Sequence, residues 1–234
     1  MNEDLELETY IHISPNVLGI YLFDIKNQKN LYKQELELVG DNNMTNLKNL
    51  ESFLADNIFE VEKLAGKFIK NIYLILENNN ISNISFSIKK KNYETKISKK
   101  YLENTIIEAK DLFKENYQNE KIMHIVIKKY LINDKYYKNY EDNLIGDHLC
   151  LEMNFISISK DLALEIEEIL EKFQIRIRKY FDKKYITNFF DGEPIELSNL
   201  AHKIQIGTNI NEVDLVPKKS QKIGIFERFF QLFS

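Results

Sequence analysis

Residues 121–132 read Lys-Ile-Met-His-Ile-Val-Ile-Lys-Lys-Tyr-Leu-Ile, and the rest of the chain can be organised around this run. β-branched and other apolar side chains dominate it, and neither Gly nor Pro interrupts it, so it predicts a β-strand. Upstream, Ser98 is placed to cap a helix that continues to about Tyr117. Downstream, residues 148–158 alternate between apolar and polar side chains, which predicts a further strand.

The neighbouring segments extend this pattern to β-α-β-β-α-β. Residues 84–88 alternate as a strand, and Ser159 is placed to cap a helix over 160–173. Residues 133–147 are predicted to form a polar loop. We expect both helices to pack on one face of a single sheet built from residues 83–91, 121–132, 148–158 and 174–181.

The beginning of the chain predicts a smaller β-β-α-β unit. Residues 9–24 are predicted as one strand with a kink at Ser14-Pro15, and residues 30–39 as its hairpin partner. Residues 71–77 predict a short buried strand. A helix is predicted between them, from about 45 to 70, because apolar residues recur at three and four positions: Leu47, Leu50, Leu54, Ile58, Val61, Leu64 and Phe68.

Composition narrows the classes of function. The formal net charge is −4, and the basic run Lys89–Lys91 lies beside acidic segments, so we expect no nucleic-acid binding. Cys150 is the only cysteine, which excludes an internal disulfide. No apolar run approaches the ~20 residues of a membrane-spanning helix. The acidic start is unlike a signal peptide, so any membrane contact is expected to be peripheral.

Motifs for catalysis are missing from the sequence. It has no glycine-rich phosphate loop, no G-x-S-x-G and no paired-cysteine metal site. The histidines are scattered along the chain at His12, His124, His148 and His202. We therefore expect a protein that is not an enzyme and has no catalytic, cofactor-binding or metal-binding residues.

The strongest functional signal lies at 222–234. On a helix, its apolar side chains fall within an arc of roughly 160°. They are Ile225, Phe226, Phe229, Phe230, Leu232 and Phe233. Lys218, Lys219 and Lys222 are placed to meet anionic lipid headgroups. We predict a membrane-binding amphipathic helix here, preceded at 187–221 by a short helix and a polar tether. The alternative is a helix that packs on its own domain.

The run from Ile122 to Asn133 resembles a segment of the actin-like bacterial cell-division protein FtsA. The matching positions are His124, Ile125, Tyr130 and Ile132. A second stretch resembles the family's N-P-x-G … L-E at Asn143, Gly146, Leu151 and Glu152. The resemblance implies an α+β fold: a partial actin-like (ribonuclease H-like) subdomain at 1–80, an SHS2-like subdomain at 81–186, and the family's membrane-targeting helix at 222–234.

The sequence departs from that family at the first phosphate motif, which resembles L-D-I-G-S. The aligned residues are Ile11-His12-Ile13-Ser14-Pro15, so His12 replaces the aspartate and Ser14 the glycine. Only about 50 residues follow the SHS2-like segment, too few for a second actin-like half. We therefore expect no ATP binding. Binding of the tubulin-like FtsZ is not carried over, because its surface lies mainly in that missing half.

Together these observations predict an FtsA-like adaptor of the cell-division machinery at the cytoplasmic face of the inner membrane. Its expected partners are anionic lipids, bound by the last helix, and other divisome proteins, bound by strand edges or the 133–147 loop. Self-association is left open. The alternatives are a pilus or secretion-platform component with an SHS2 domain, a small enzyme, and a soluble protein-binding module.

Overall fold

The structure is a computed structural model that describes residues 6–38, 47–141, 144–191 and 194–214. Its strands and α-helices, in chain order, are β1 (Leu7–Ile13), β2 (Val17–Asp24), β3 (Lys29–Glu37), α1 (Leu50–Ala65), β4 (Asn71–Leu76), β5 (Ser82–Lys96), α2 (Lys99–Asn116), β6 (Glu120–Ile132), β7 (Lys135–Tyr137), β8 (Ile145–Ser159), α3 (Lys160–Glu171), β9 (Arg176–Asp182), α4 (Lys183–Phe189) and α5 (Leu197–Gln205). The predicted α+β class is confirmed, with two sheets in two compact units.

Unit 1 comprises Met1–Ile81 and Ser159–Thr208, and its sheet has the strand order β3-β2-β1-β4-β9. β1 and β2 are antiparallel, as are β2 and β3, whereas β4 runs parallel to both β1 and β9. The single strand predicted over 9–24 is wrong, because the chain reverses at Ser14-Pro15-Asn16 and forms a hairpin there. The predicted kink therefore marks a turn between two strands.

Both faces of this sheet are covered by helices. Side chains alternate along a strand, so Tyr10 lies on the face opposite to Ile11. Tyr10 belongs to a core cluster that includes Phe181 from β9, Ile186 from α4 and Leu200 from α5. The helices α1 and α3 contact each other, and α3 contacts β9. Buried apolar surface on both faces stabilises the sheet as the middle layer of unit 1.

The helix α1 ends earlier than its apolar periodicity predicts. It stops at Ala65 because Gly66 adopts a left-handed conformation, with φ 68°, and forms the C-cap. Phe68, which the periodicity places on the helix, lies beyond this cap and is 80% exposed, and Leu64 in the last turn is 48% exposed. The predicted helix end at about residue 70 is therefore wrong, because the helix ends at Ala65.

Unit 2 comprises Ser82–Ile158 and Asn209–Ser234, and its sheet has the strand order β5-β8-β6-β7. The prediction that 174–181 joins this sheet is wrong, because β9 pairs with β4 in unit 1. The helix over 160–173 also belongs to unit 1. The unit boundaries therefore differ from the predicted division into 1–80 and 81–186, since only the segment Ser82–Ile158 of the second unit is inserted between β4 and α3.

The core of unit 2 forms between its sheet and α2. The helix begins where predicted, because the Ser98 side chain accepts a hydrogen bond from the Tyr101 N–H. Phe113 from α2 stacks on Phe155 from β8, with ring centroids 4.6 Å apart. The predicted 133–147 loop is partly ordered as strand, since β7 pairs back on β6 and β8 begins at Ile145.

Residues 211–213 lie against β6, although the sequence predicts only a short helix and a polar tether over 187–221. The Val213 N–H donates to the Ile125 carbonyl at 2.9 Å, and the Ile127 N–H donates to the Asn211 carbonyl at 2.9 Å. Val213 is buried, and His124 contacts Glu212 at 2.9 Å. This part of the predicted tether is therefore an integral piece of unit 2.

Candidate functional site

The carboxyl ends of β1, β4 and β9 meet at one edge of the unit 1 sheet, which we call the carboxyl edge. Because these strands are parallel neighbours, the side chains that follow them come together there. In open α/β sheets this is where ligands usually bind. The Glu77 N–H donates to the Ile13 carbonyl at 2.9 Å, so the ends of β1 and β4 stay joined.

The β1–β2 turn occupies the position that the family resemblance gives to a phosphate-binding motif. The Ser14 N–H donates to the Val17 carbonyl at 3.0 Å, and the Val17 N–H donates to the Ser14 hydroxyl at 2.9 Å. Pro15 has no N–H to offer. Phosphate cradles need several convergent N–H groups. In this turn, only Asn16 has an N–H that is neither missing nor used for these bonds.

His12 lies at the end of β1 and is 3% exposed. The pKa of its imidazole is lowered to about 4, chiefly by burial and next by the neighbouring Lys183 ammonium, whereas Glu77 and Glu35 act in the opposite direction. Among the described residues, its Nε2 atom has no hydrogen-bond partner. At neutral pH the ring is therefore uncharged, unlike the aspartate that it replaces in the family motif.

The charged groups at the carboxyl edge bind each other or the backbone. The Lys183 ammonium lies 2.6 Å from the Glu77 carboxylate. Asp182 caps α4, where its two carboxylate oxygens accept hydrogen bonds from the N–H groups of Lys184 and Tyr185, both at 3.1 Å. These contacts hold the start of α4 against the sheet. They also engage the Lys183 ammonium and the Asp182 carboxylate, which are the charged groups that a bound ligand would need.

Unit 2 offers a different kind of surface, the edge of its sheet at β5. This strand pairs with β8 on one side only. The opposite side of the sheet is covered in part by β7 and by residues 211–213, which both bond to β6. In the part of the chain that the structure describes, β5 is therefore the long open edge. An exposed strand edge can accept an extended peptide as an additional strand.

The membrane-binding residues predicted from the sequence lie outside the described residues. They are Lys218, Lys219, Lys222, Ile225, Phe226, Phe229, Phe230, Leu232 and Phe233. Over the described ranges, no helix is long and apolar enough to cross a membrane. The same ranges contain no group of three or more His, Cys, Asp or Glu side chains placed to hold a metal ion.

Sequence reasoning missed Glu77 and Lys183, and it predicted binding by strand edges without identifying β5 as the open edge. The two charged residues are far apart in sequence, and only the parallel pairing of β4 with β9 brings them together. The position of Glu77 directly after a buried strand was the one available signal. The edge position of β5 follows from the strand order, which local patterns do not contain.

The sequence matches no protein-family model and no curated protein. Solved structures with a similar fold include a PilM-PilN type IV pilus biogenesis complex, at 10% identity and a TM-score of 0.49, over 80% of this chain and 50% of that one. A Bacteroides thetaiotaomicron protein with an actin-like ATPase fold is 15% identical with a TM-score of 0.36, over 80% of this chain and 56% of that one. A third structure is the cytoplasmic domain of EpsL, an inner membrane component of the Vibrio cholerae type II secretion system. It is 8% identical with a TM-score of 0.36, over 77% of this chain and 57% of that one. The chain thus spans about half the length of each.

Proposed function

We propose that this protein is a non-enzymatic adaptor that binds other proteins at the cytoplasmic face of a bacterial inner membrane. The sequence resemblance to FtsA makes the cell-division machinery the first assembly to test. In this role unit 1 serves as a rigid platform, unit 2 binds partner segments, and residues 222–234 attach the chain to anionic lipids.

The observation that carries this proposal is the chemistry of the carboxyl edge. A nucleotide there would need N–H donors and cationic groups directed at its phosphates. Instead, the Ser14 and Val17 N–H groups of the β1–β2 turn bond within the turn, and Lys183 is neutralised by Glu77 at 2.6 Å. His12 is buried, and its low pKa keeps it uncharged at neutral pH. This edge is therefore built for structural stability, which favours a scaffold over a nucleotide-dependent enzyme.

Titration calorimetry with Mg-ATP tests this part directly. We expect no heat of binding at millimolar nucleotide. A micromolar dissociation constant would overturn the adaptor-only proposal. A matched control is the double variant His12→Asp, Ser14→Gly, which restores two residue types of the family motif. We expect it to remain without binding, because Pro15 and the Glu77–Lys183 pair are unchanged.

For partner binding, the geometry favours the β5 edge over the 133–147 loop. Residues 135–137 of that loop are already paired with β6, whereas the outer side of β5 is open. Lys91 is exposed on β5, whereas Lys89 lies 3.9 Å from Asp134 and Lys90 pairs with Glu108. Lysines on an edge strand discourage pairing with a second copy of the same strand. They favour an extended segment that carries acidic residues.

Membrane attachment is tested with the double variant Phe229→Glu, Phe230→Glu. Each buried Phe or Leu side chain contributes on the order of 1.5–3 kcal/mol when burial is complete, and less at an interface. We expect the wild type to sediment with anionic liposomes and the double variant to remain in the supernatant with an unaltered melting temperature. If the variant melts several degrees lower and the wild type never binds liposomes, the last helix is a core element.

Imaging of a fluorescent fusion in dividing cells decides between assemblies. A mid-cell band that forms with the division septum would support the divisome. Polar foci would instead support the pilus or secretion-platform alternative. A diffuse cytoplasmic signal in the wild type would contradict membrane attachment in either assembly.

A further inference from the structure

The opposite end of the unit 1 sheet, where β1, β4 and β9 begin, contains a cleft of about 1040 Å³. We call it the Phe68 cleft, defined by Phe59, Lys63, Lys67, Phe68, Tyr73 and Arg178. A second concavity of about 1130 Å³ shares Phe68, Ile69 and Lys70 with it. The loop at 66–70, between α1 and β4, therefore projects between two hollows of the same surface.

Two large aromatic side chains of this cleft face solvent. Phe59 is 69% exposed and Phe68 is 80% exposed, whereas Tyr73 at the cleft wall is buried. Phe59 lies within α1, and the loop that carries Phe68 is held by the left-handed Gly66 and by the Glu62 carboxylate, which accepts a hydrogen bond from the Ile69 N–H at 3.0 Å. Adjacent apolar side chains held in water by an ordered backbone are typical of protein–protein interaction sites.

The rim of the Phe68 cleft is cationic. Lys67, Lys70 and Arg178 are exposed around it, and Lys63 lies beside them in an ion pair with Glu60 at 3.5 Å. Its two carboxylates are engaged within unit 1. Glu62 holds the loop, and Glu8 accepts the Tyr10 hydroxyl at 2.6 Å and contacts His202 Nδ1 at 2.8 Å.

The Arg178 guanidinium carbon lies 5.8 Å from the centre of the Tyr73 ring, which places a fork of N–H donors beside the apolar surface. Such a fork binds carboxylates through two parallel hydrogen bonds.

We propose that the Phe68 cleft binds a segment of a partner protein that carries apolar side chains flanked by carboxylates. Aromatic and arginine side chains are the residue types that dominate binding energy at protein interfaces. The charge of the cleft argues against the other occupants. The chain's own 222–234 segment has Lys222 and Arg228 against the single acid Glu227. A second copy would bring the same cationic rim into a symmetric contact. This proposal does not depend on the proposed function.

Selection from a phage-displayed library of short random peptides on the full chain tests the proposal. Counter-selection uses the double variant Phe59→Ser, Phe68→Ser. We expect enriched peptides to contain aromatic or aliphatic residues and an excess of Asp and Glu. For a synthetic peptide from the selection, the dissociation constant should rise at least about tenfold with the double variant and with Lys67→Glu, Arg178→Glu.

The matched control is Leu164→Ser, Ile206→Ser, which removes exposed apolar side chains elsewhere on unit 1. It should leave peptide binding unchanged. All three double variants should keep the melting temperature of the wild type, since the altered side chains are exposed. Liposome sedimentation should also be unchanged in each, which separates this proposal from membrane attachment.

Four results would overturn the proposal. The first is a set of enriched peptides that is basic or uncharged, or no enrichment over the double variant. The second is self-association in sedimentation that Phe68→Ser abolishes, which would make a second copy the occupant. The third is binding of a synthetic 222–234 peptide that competes for the cleft. The fourth is liposome binding that depends on Lys67 and Arg178, which would make the cleft a lipid site.

Discussion

The two ends of the unit 1 sheet differ in chemistry although they share the strands β1, β4 and β9. At the carboxyl edge, Lys183 is paired with Glu77, Asp182 is committed to capping α4, and His12 is buried. At the opposite end, Phe59 and Phe68 are exposed and the basic rim faces solvent. At the end of an open α/β sheet where ligands usually bind, the charged groups of this protein are therefore engaged with each other or with the backbone. The other end has the features of a binding surface.

This difference teaches that the position of a site in a fold does not fix its use. The same sheet order can place phosphate-binding groups or a self-satisfied polar cluster at the carboxyl edge, depending on a few side chains. If the contrast holds, substitutions at the carboxyl edge change stability, and substitutions at the Phe68 cleft change binding alone.

The largest effect is expected from a matched pair of Phe→Ala substitutions. Phe181, at the end of β9, is fully buried beside Tyr73, with ring centroids 6.1 Å apart. Phe181→Ala should lower the free energy of unfolding by about 3–5 kcal/mol through lost burial and a cavity. Phe68→Ala should change it by less than about 0.5 kcal/mol. Urea titrations of both variants measure this, and equal losses would contradict the contrast between the two ends.

The next effect is the pH dependence of stability from His12. Its pKa in the folded protein is about 4, against 6.5 for a histidine exposed to water. The unfolded chain therefore takes up a proton below pH 6.5, while the folded protein does so only near pH 4. The contribution of His12 to the free energy of unfolding is therefore fully present above pH 6.5. It is lost as the pH falls towards 4, and the total loss is about 3 kcal/mol.

The variant His12→Gln, which cannot titrate, checks this assignment. Urea titrations at pH 7 and pH 4.5 should show a smaller loss of stability in this variant than in the wild type. Lys183→Met should raise the pKa of His12 and so reduce the loss as well. An identical pH profile for the wild type and His12→Gln would show that other groups are responsible.

A smaller effect is expected from the cap of α4. Asp182→Ala removes the acceptor for the N–H groups of Lys184 and Tyr185 and should cost about 0.5–2 kcal/mol. Asp182→Asn keeps a capping side chain and should cost less. The comparison variant is Ser159→Ala, which removes the equivalent cap of α3. Denaturation curves should give a higher free energy of unfolding for Asp182→Asn than for Asp182→Ala. The reverse order would exclude capping as the role of Asp182.

The smallest effect is expected from the Glu77–Lys183 pair. Its side chains are 49% and 33% exposed, so its coupling should lie between about 0 and 1 kcal/mol and weaken with salt. A double-mutant cycle with Glu77→Gln and Lys183→Met, at pH 8 where His12 is neutral, measures the coupling. The control cycle is the Lys172–Glu51 pair, at the same 2.6 Å distance but with both side chains more than half exposed. A larger coupling in the control would contradict this order.

The sequence alone determined the local features of this protein. Ser98 and Ser159 cap the predicted helices, because a cap depends on a side chain and an N–H only three residues away. The strand at 121–132 was predicted to within one residue, since its apolar and β-branched composition is a property of that segment. The α+β class follows from the number and order of such segments.

The tertiary structure decided which strands share a sheet. The segment at 176–182 satisfies the strand pattern equally well in either unit, and only its parallel pairing with β4 assigns it to unit 1. The same holds for residues 211–213, whose polar composition predicts a tether until β6 provides partners for their backbone. Pairing between distant segments depends on which strand edges and sheet faces remain open after the local elements form. A local sequence pattern does not indicate which edges and faces these are. For the same reason, the pair of Glu77 with Lys183 and the exposed position of Phe68 became visible only in three dimensions.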